Sequence, residues 1–289
     1  MLPLELERFI FEKAAHDDLS NIPSLLRVAR RVQKWIEPLL YRTLITDDSP
    51  KGRSLKRTIY VKPPRFFSEH TRNLYLTGAG KWTEDYAHDL LALCPRLTAL
   101  AVSGIWGSFQ QESVKKISGV RRWSGFLYAV FGYSSMPDIG LARYPCFANV
   151  THMEIFDTFT DDDVFISSAL ASLPSLTHLC LTDTTSDILI LIAGTCTKLE
   201  ALVYMPSTHK EARAMADHPP FPSADPRFVV SRLQFTVFWR DWELNTDTTT
   251  GFWAAADRFI ARKRSGEIQE SSYWLEYKWP MSGTQEHPH

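Results

Sequence analysis

A short apolar pattern recurs along the chain and constrains the fold more than any other feature. Its clearest copy spans residues 176–181, with leucines at the first, fourth and sixth positions. Leu179 and Leu181 point to one face of a strand, because side chains alternate along it. His178 and Cys180 therefore point to the opposite face. Further copies begin at Thr71, Leu97, Val150 and Leu199. The repetition predicts a row of similar strands.

The spacing of the copies is typical of leucine-rich repeats. Successive copies start 26, 53, 26 and 23 residues apart. Because 53 is about twice the period, we expect one more copy near Trp123, over residues 123–128. A period of about 20 to 29 residues with this pattern indicates strands that alternate with return segments. No such unit can bury its apolar face alone, so the units stack.

The segments between the strands have helical patterns, over 82–94, 164–173 and 186–195. Prolines at 95 and 174 end the first two just before the next strand. Leucine-rich repeats usually carry an asparagine eight residues after the first leucine, where it satisfies buried backbone groups of the turn. In this chain that position holds Ala79, Ile105, Thr158, Thr184 and Ser207. We therefore expect an α/β chain with an irregular leucine-rich-repeat solenoid and a parallel sheet.

Side chains that alternate with the leucines should form rows on an outward strand face. The predicted rows are Gly125, His152, His178 and, next to them, Leu127, Glu154, Cys180. This face is apolar and poor in charge, as protein-binding surfaces are. The candidate partner-binding residues are Tyr75, His152, Glu154, Phe156, His178, Cys180 and Met205. The competing interpretation is that a loop of the same chain, such as one of its proline-rich segments, covers the face.

The sequence offers little for catalysis or metal binding. His152 and His178 should be neighbours, and with Glu154 and Cys180 they resemble a ligand set. Without a third fixed ligand we favour two exposed imidazoles. No phosphate-binding glycine loop, nucleophile motif or zinc-type cysteine pair occurs. We therefore expect no catalytic residue, no cofactor and no metal.

The first 45 residues have helical patterns. Pro3 suits the first position of a helix, and Leu6, Phe9 and Ile10 form an apolar stripe on it. A second helix should begin after residue 23 and continue or restart near Trp35. From periodicity alone, these helices would bury their apolar faces against their own domain.

The same residues carry a resemblance to a known family. The pattern L-P-x-E-L at 2–6, I-F at 10–11, L-L-R-V-A-R-R-V at 25–32, Trp35 and L-L-Y-R-T-L at 39–44 resembles an F-box. It is most similar to the short F-box-like heads of basidiomycete fungal proteins. The resemblance implies a compact three-helix unit that docks on the Skp1-like adaptor of a cullin ubiquitin ligase. The adaptor-binding residues that it implies are Leu2, Pro3, Leu6, Ile10, Leu25, Val28 and Trp35.

The predicted organisation has four parts. An F-box-like helical head covers 1–45, a linker 46–70, an irregular leucine-rich-repeat domain with an atypical C-terminal cap 71–280, and a disordered tail 281–289. Within the cap we expect a strand over 228–239, a helix over 252–264 that stops near Gly266, and a last strand over 273–277.

Composition limits the compartment and the partners. The net charge is −1, so the chain as a whole does not favour nucleic acid or an anionic membrane. Four cysteines without a close pair are typical of buried free thiols in a reducing compartment, cytoplasmic or nuclear. No secretory signal or apolar span is recognisable, and we expect a soluble protein.

Together these observations predict a non-catalytic substrate-recognition subunit of an SCF-type E3 ubiquitin ligase. The head would bind an Skp1-like adaptor within a cullin complex, and the repeats would bind a protein substrate. A leucine-rich-repeat scaffold with a degenerate head and no ligase role is the alternative. An enzyme with an unrecognised site is the third possibility.

Overall fold

In the computed structural model the chain is α/β and divides into two units, Met1–Leu97 (unit 1) and Thr98–His289 (unit 2). The structure describes residues 2–18, 21–77, 83–103, 114–132, 136, 140–245 and 248–280. The predicted tail over 281–289 lies outside the described residues, as do the repeat positions Ala79 and Ile105.

Unit 1 begins with three helices, α1 (Leu4–Asp17), α2 (Ile22–Leu25) and α3 (Arg30–Leu40). Pro3 is the N-cap of α1 rather than its first helical residue. The second predicted helix is interrupted and restarts at Arg30, five residues before the predicted point. The helices pack around Ala15, Ile22, Val32 and Ile36, all fully buried.

The segment from 43 to 70 is more regular than the sequence indicates. Strand β1 (Thr43–Ile45) follows the helices and pairs in parallel with β2 (Asn73–Thr77). The predicted linker over 46–70 instead contains α4 (Pro50–Val61) and α5 (Pro64–His70). Both helices begin at a proline, where the missing N–H costs no hydrogen bond. Unit 1 ends with α6 (Glu84–Leu93), inside the predicted helix over 82–94.

Helix α4 escapes detection by periodicity because it buries few side chains. Within its twelve residues only Leu55 and Ile59, one turn apart, are large apolar side chains facing the core. The clearest local signal is at its start, where the Ser49 hydroxyl accepts a hydrogen bond from the backbone N–H of Gly52 at 3.1 Å. A serine at the N-cap is therefore the local sequence feature that indicates the start of this helix.

The described residues of unit 2 form six parallel strands that pair in chain order. They are β3 (Ala99–Ser103), β4 (Arg122–Gly125), β5 (His152–Phe159), β6 (His178–Thr184), β7 (Ala201–Tyr204) and β8 (Phe228–Val230). His152 pairs with His178, and His178 with Ala201. The predicted parallel sheet is confirmed, and strands occur at each predicted copy from Leu97 onward.

A strand does occur near Trp123, where one more copy was predicted, but the predicted register is wrong by three residues. Arg122, rather than Gly125, pairs with His152, and Ser124 pairs with Glu154. The pattern of this copy begins at Val120, and both Val120 and Trp123 are fully buried. A glycine replaces the last apolar residue of the pattern, which explains why the sequence did not reveal the register.

Helices connect most of the strands of unit 2. They are α7 (Leu127–Phe131), α8 (Phe165–Ala171), α9 (Ser186–Thr195) and α10 (His209–Asp217). The helices predicted over 164–173 and 186–195 are confirmed as α8 and α9. Leu127, predicted on the strand face, instead begins α7, where its backbone N–H donates to the Asp157 carboxylate at 2.6 Å.

The C-terminal cap differs from its predicted strands. Strand β8 ends at Val230, and residues predicted to extend it form α11 (Phe235–Leu244). Phe235, Phe238 and Trp242 recur at helical spacing, which outweighs the strand preference of aromatic residues. Helix α12 (Gly251–Arg264) is confirmed. Residues 273–277 contribute a single bridge, between Val230 and Trp274, rather than a strand.

The stop predicted near Gly266 is confirmed. Gly266 has φ +74, and its N–H donates to the carbonyl of Lys263 while that of Glu267 donates to Arg262. A glycine adopts this left-handed conformation without strain, so the chain reverses directly after α12.

Leu179→Ala should destabilise unit 2 strongly. Leu179 is fully buried between Met153 and Leu202 on neighbouring strands. We expect a loss of about 2–5 kcal/mol in the free energy of unfolding, from lost burial and the cavity left behind. Urea denaturation followed by tryptophan fluorescence measures it. Ile190→Ala, at an exposed position of α9, should cost under about 1 kcal/mol. Equal effects of the two substitutions would contradict the buried strand register.

Candidate functional site

The strand face predicted to bind a partner is buried. We use "strand face" for the side of the sheet that carries Arg122, Ser124, His152, Glu154, His178 and Cys180. Glu154 is 1% exposed and His178 7% exposed, and Cys180 is fully buried. Phe156 and Met205, predicted on the same face, are also buried, as is Tyr75 in unit 1. His152 is only partly buried. These residues are not an open docking surface.

Two C-terminal helices of the same chain cover the strand face. Phe156 on β5 contacts Phe235, Phe238 and Trp239 of α11, with ring centroids 5.2–5.7 Å apart. Trp253 of α12 lies over the central strands. The interpretation that the chain covers its own face is therefore the correct one for unit 2, but helices cover it rather than a proline-rich loop.

The proline-rich segment lies elsewhere in unit 2. Residues 221–227 border an open cleft of about 450 Å³ together with Ile190, Ala193 and Gly194 of α9. Arg227 connects the two sides, because its guanidinium binds Asp225 at 2.7 Å and donates to the carbonyl of Ala193 at 3.1 Å. The segment packs beside a connecting helix rather than over the strand face.

A buried ion pair is the centre of the covered face. The Arg122 guanidinium on β4 contacts the Glu154 carboxylate on β5 at 2.7 Å. The Ser124 hydroxyl also donates to Glu154, and the indole N–H of Trp253 donates to it at 2.5 Å. Arg122 donates in turn to the backbone carbonyl of Asn245 at 2.7 Å. The strands thus hold the C-terminal segment through hydrogen bonds to both members of the pair.

Two stacked histidines lie beside this ion pair. The rings of His152 and His178 are 4.1 Å apart and nearly parallel, and the Trp253 ring meets both edge-on. His178 Nε2 lies 2.9 Å from an Asp257 carboxylate oxygen on α12. Burial, with the neighbouring His178 and Arg122, lowers the pKa of His152 to about 2. The expectation of two exposed imidazoles is wrong because α12 covers them.

The covered face is suited to holding the chain together rather than to chemistry. The Glu154 carboxylate already accepts from three side-chain donors. Burial raises the pKa of the Cys180 thiol well above its usual value, so the reactive thiolate is suppressed. Within the described ranges, no group of three metal-ligating side chains could hold an ion. All four cysteines are free and buried, as predicted.

Sequence reasoning missed three residues of this face. Arg122 and Ser124 were missed because of the register error at β4, and Trp253 because α12 was assigned only a capping role. One signal was present in the sequence. When the pattern of this copy starts at Val120, Arg122 occupies the position that His152 and His178 hold in their own copies, on the face opposite the leucines. A charge at that point needs a buried partner.

The second candidate site is the exposed side of α1 in unit 1. Leu6, Phe9 and Ile10 lie on one side of α1 and are each more than half exposed, and Leu2, just before the helix, is exposed as well. We call these four residues the α1 face. Phe11 and Ala15, on the opposite side of α1, pack in the core of the unit. The core is therefore complete without the α1 face.

The other residues implied by the resemblance separate into two groups. Val28 is 57% exposed, in the turn between α2 and α3, and Pro3 is exposed at the start of α1. Leu25 and Trp35 are partly buried and pack against the core of the three helices. The structure thus assigns these two a structural contact and leaves the other five on the surface.

An ion pair holds α1 against α3. The Arg31 guanidinium binds the Glu7 carboxylate with two nitrogens, at 2.7 and 3.1 Å. This two-point geometry is the most specific that arginine makes with a carboxylate. Glu7 raises the pKa of Arg31 further. The contact adds to the packing of Phe11 and Ala15 in the core, which decides the side of α1 that faces outward.

Comparison with known proteins does not assign the chain to a family. No protein-family description matches the sequence, and no curated protein matches it significantly. Across the part of the chain that the structure describes, every helix is too short or too polar to cross a membrane.

Glu154→Leu should destabilise the protein because it leaves the Arg122 guanidinium buried without an anion. We expect a loss of about 3–5 kcal/mol in the free energy of unfolding. The double variant Arg122→Met/Glu154→Leu removes both charges and should recover most of that loss. Denaturant unfolding measures the three free energies. If the double variant is as unstable as Glu154→Leu, the ion pair is not the source of the effect.

His152 should make the protein sensitive to acid. The folded protein keeps this imidazole neutral to about pH 2, whereas the unfolded chain protonates it below about pH 6.5. The unfolded state therefore binds the extra proton, and stability falls as the pH falls below 6.5. In His152→Gln the fall should be less steep, by up to about 1.4 kcal/mol per pH unit.

Thermal or denaturant unfolding between pH 7 and pH 4.5 tests this slope. His218→Gln, at an exposed position, is the matched control and should keep the wild-type slope. A wild-type slope in His152→Gln would show that His152 is protonated in the folded protein.

Proposed function

We propose that this protein is a non-catalytic substrate-recognition subunit of an SCF-type ubiquitin ligase, and that the α1 face binds an Skp1-like adaptor. The observation that supports it is the exposure of four large apolar side chains, with Leu6, Phe9 and Ile10 on one side of α1 and Leu2 just before it. The F-box resemblance of the first 45 residues supplies the kind of partner.

The exposure has a physical cost that a partner would remove. Burying a leucine or phenylalanine side chain contributes about 1.5–3 kcal/mol, so leaving the four side chains of the α1 face unburied forgoes a large gain. Single exposed apolar residues are ordinary, but a contiguous set usually marks an interaction surface. Because the other side of α1 completes the core, the fold does not need the α1 face for its own stability.

The orientation of α1 also suits docking. Phe11 and Ala15 pack α1 onto the core of the unit before any partner arrives, and the Arg31–Glu7 ion pair adds a surface contact. A pre-organised surface loses less conformational entropy on binding than a mobile helix does. Val28 adds an exposed apolar side chain from the α2–α3 turn. The proposed adaptor surface is therefore Leu2, Pro3, Leu6, Ile10 and Val28, supported by Leu25 and Trp35 from within.

We infer that unit 2 is an irregular array of leucine-rich repeats. Its parallel strands in chain order, joined by short helices and beginning at copies of one apolar pattern, support this. A substrate of such an array would have to bind away from the strand face, since α11 and α12 occupy it. The same burial favours the second candidate, a repeat scaffold without a ligase role.

Affinity capture from the source cells tests the adaptor proposal. The double variant Leu6→Asp/Ile10→Asp places two charges on the α1 face, so recovery of an Skp1-like adaptor should fall at least tenfold, about 1.4 kcal/mol or more. Val164→Asp/Ile190→Asp is the matched control, at exposed apolar positions of unit 2, and should recover the adaptor normally.

Two results would decide against the proposal. Recovery of no Skp1-like adaptor by the wild type would leave the scaffold interpretation. Equal loss of the adaptor in the control variant would show that added charge, rather than the α1 face, is responsible. Circular dichroism of each variant establishes that the helices remain folded.

A further inference from the structure

Strand β1 is paired on one side only, within the part of the chain that the structure describes. Thr46, just after β1, donates its N–H to the carbonyl of Tyr75 on β2 at 3.0 Å, so the even-numbered residues bind β2. Backbone groups point alternately to the two sides of a strand, and those of Thr43 and Ile45 therefore point away from β2. Both residues are partly exposed. Among the described residues, no hydrogen bond reaches their backbone N–H or carbonyl groups.

An apolar cavity borders this unpaired side of β1. It has a volume of about 230 Å³ and lies among β1, the end of α3 and one side of α4. No residue of β2 lines it, so it lies on the side of β1 that faces away from β2. Leu40, Leu44 and Leu55 supply apolar walls, and the exposed Ser54 lies at its opening. An engineered core cavity of about 150 Å³ accepts benzene, so this one has room for one leucine or phenylalanine side chain.

Unit 2 contains an example of how a strand edge of this kind is filled. On the outer side of β8, the N–H of Val230 donates to the carbonyl of Tyr273 at 2.8 Å. The N–H of Leu275 donates to the carbonyl of Val230, also at 2.8 Å. The Tyr273 side chain is 3% exposed. Main-chain hydrogen bonds and one buried aromatic side chain thus bind an extended segment to the edge of β8.

We propose that the unpaired side of β1 binds an extended peptide segment of a partner protein, with one leucine or phenylalanine side chain in the cavity. In a parallel arrangement, as between β1 and β2, the peptide residue beside Leu44 donates its N–H to the carbonyl of Thr43 and accepts from the N–H of Ile45. Its side chain points to the same side of the sheet as that of Leu44, which lines the cavity. The backbone bonds supply affinity and the cavity supplies specificity.

Two other occupants fit the edge less well. In a second copy of the chain, residues 273–275 occupy the outer side of β8, which is therefore closed to β1. Pairing of two β1 strands would bring together two α4 helices, each with four cations and no carboxylate. A small apolar molecule would fill the cavity but leave the backbone groups of Thr43 and Ile45 to water. An extended peptide uses both the backbone groups and the cavity.

Fluorescence anisotropy with a synthetic peptide tests the proposal on the full chain. The probe is a labelled nine-residue peptide of threonine and serine with one central leucine. Replacing the leucine by serine should weaken binding at least about tenfold, because the cavity then stays empty. Two further controls carry one N-methyl group, on the nitrogen of the leucine or on that of the next residue. Only one of these nitrogens faces β1, so one N-methyl peptide should lose binding and the other should keep it.

Variants of the chain separate the two parts of the surface. Ile45→Pro removes the N–H that points away from β2 and leaves the β1–β2 hydrogen bonds in place, because proline is tolerated on the open side of an edge strand. It should weaken the probe at least about tenfold, whereas Ile45→Val keeps the N–H and should bind almost normally. Ser54→Phe should block the cavity opening and weaken the probe, and Ser168→Phe, at an exposed position of α8, should not. Circular dichroism melting of each variant confirms folding.

Several outcomes would overturn the proposal. One is a probe that does not bind saturably or binds no better than its serine control, and another is full affinity in Ser54→Phe. Equal affinity of the two N-methyl peptides would show that the cavity takes an apolar group without strand pairing. Self-association in sedimentation velocity that Ile45→Pro abolishes would assign the edge to a second copy. The adaptor capture experiment uses the α1 face alone, so either proposal can fail while the other stands.

Discussion

The packing of unit 2 depends on the hydrogen bonds and the ion pair that the buried carboxylate of Glu154 makes. Glu154 is almost wholly inaccessible, and a carboxylate in that position is tolerated only when hydrogen-bonded and paired. Arg122 and Ser124 meet it from the neighbouring strand, and Trp253 meets it from α12. The last of these donors comes from almost a hundred residues further along the chain. The ion pair therefore couples the order of the strands to the position of the C-terminal helices.

That coupling has a consequence for function. In an open repeat array, the strand face is available to partners. Here α11 and α12 lie over it, and aromatic side chains such as Phe156 and Trp253 are buried there instead of being exposed. Among the described residues, large apolar side chains are exposed on α1 in unit 1, and others are exposed on α4, α9 and α11. Of these helices, α1 lies in the part of the chain that has the F-box resemblance.

The sequence predicted the positions of most strands, but it did not predict which helices pack over the strand face. Leucine spacing located β5, β6 and β7, because buried alternation is a local property of each segment. The same reasoning misplaced β4, where Gly125 replaces an apolar residue and shifts the apparent pattern. It also took 235–239 for a strand, since aromatic residues suit both structures and only their spacing separates them. Helices α4 and α5 were missed because few of their side chains face the core.

The sequence alone determined the parallel α/β organisation, the free buried thiols and the helical start of the chain, because each follows from local periodicity or from residue type. Only the tertiary structure decided which side chains are accessible. His178 and Cys180 point away from the leucines, as alternation requires, but that direction leads to α12 rather than to solvent. Leu6 and Ile10 lie on an ordinary amphipathic stripe, yet the core closes on the other side of their helix. Burial depends on what packs against a face, and that contact is made by residues distant in the chain.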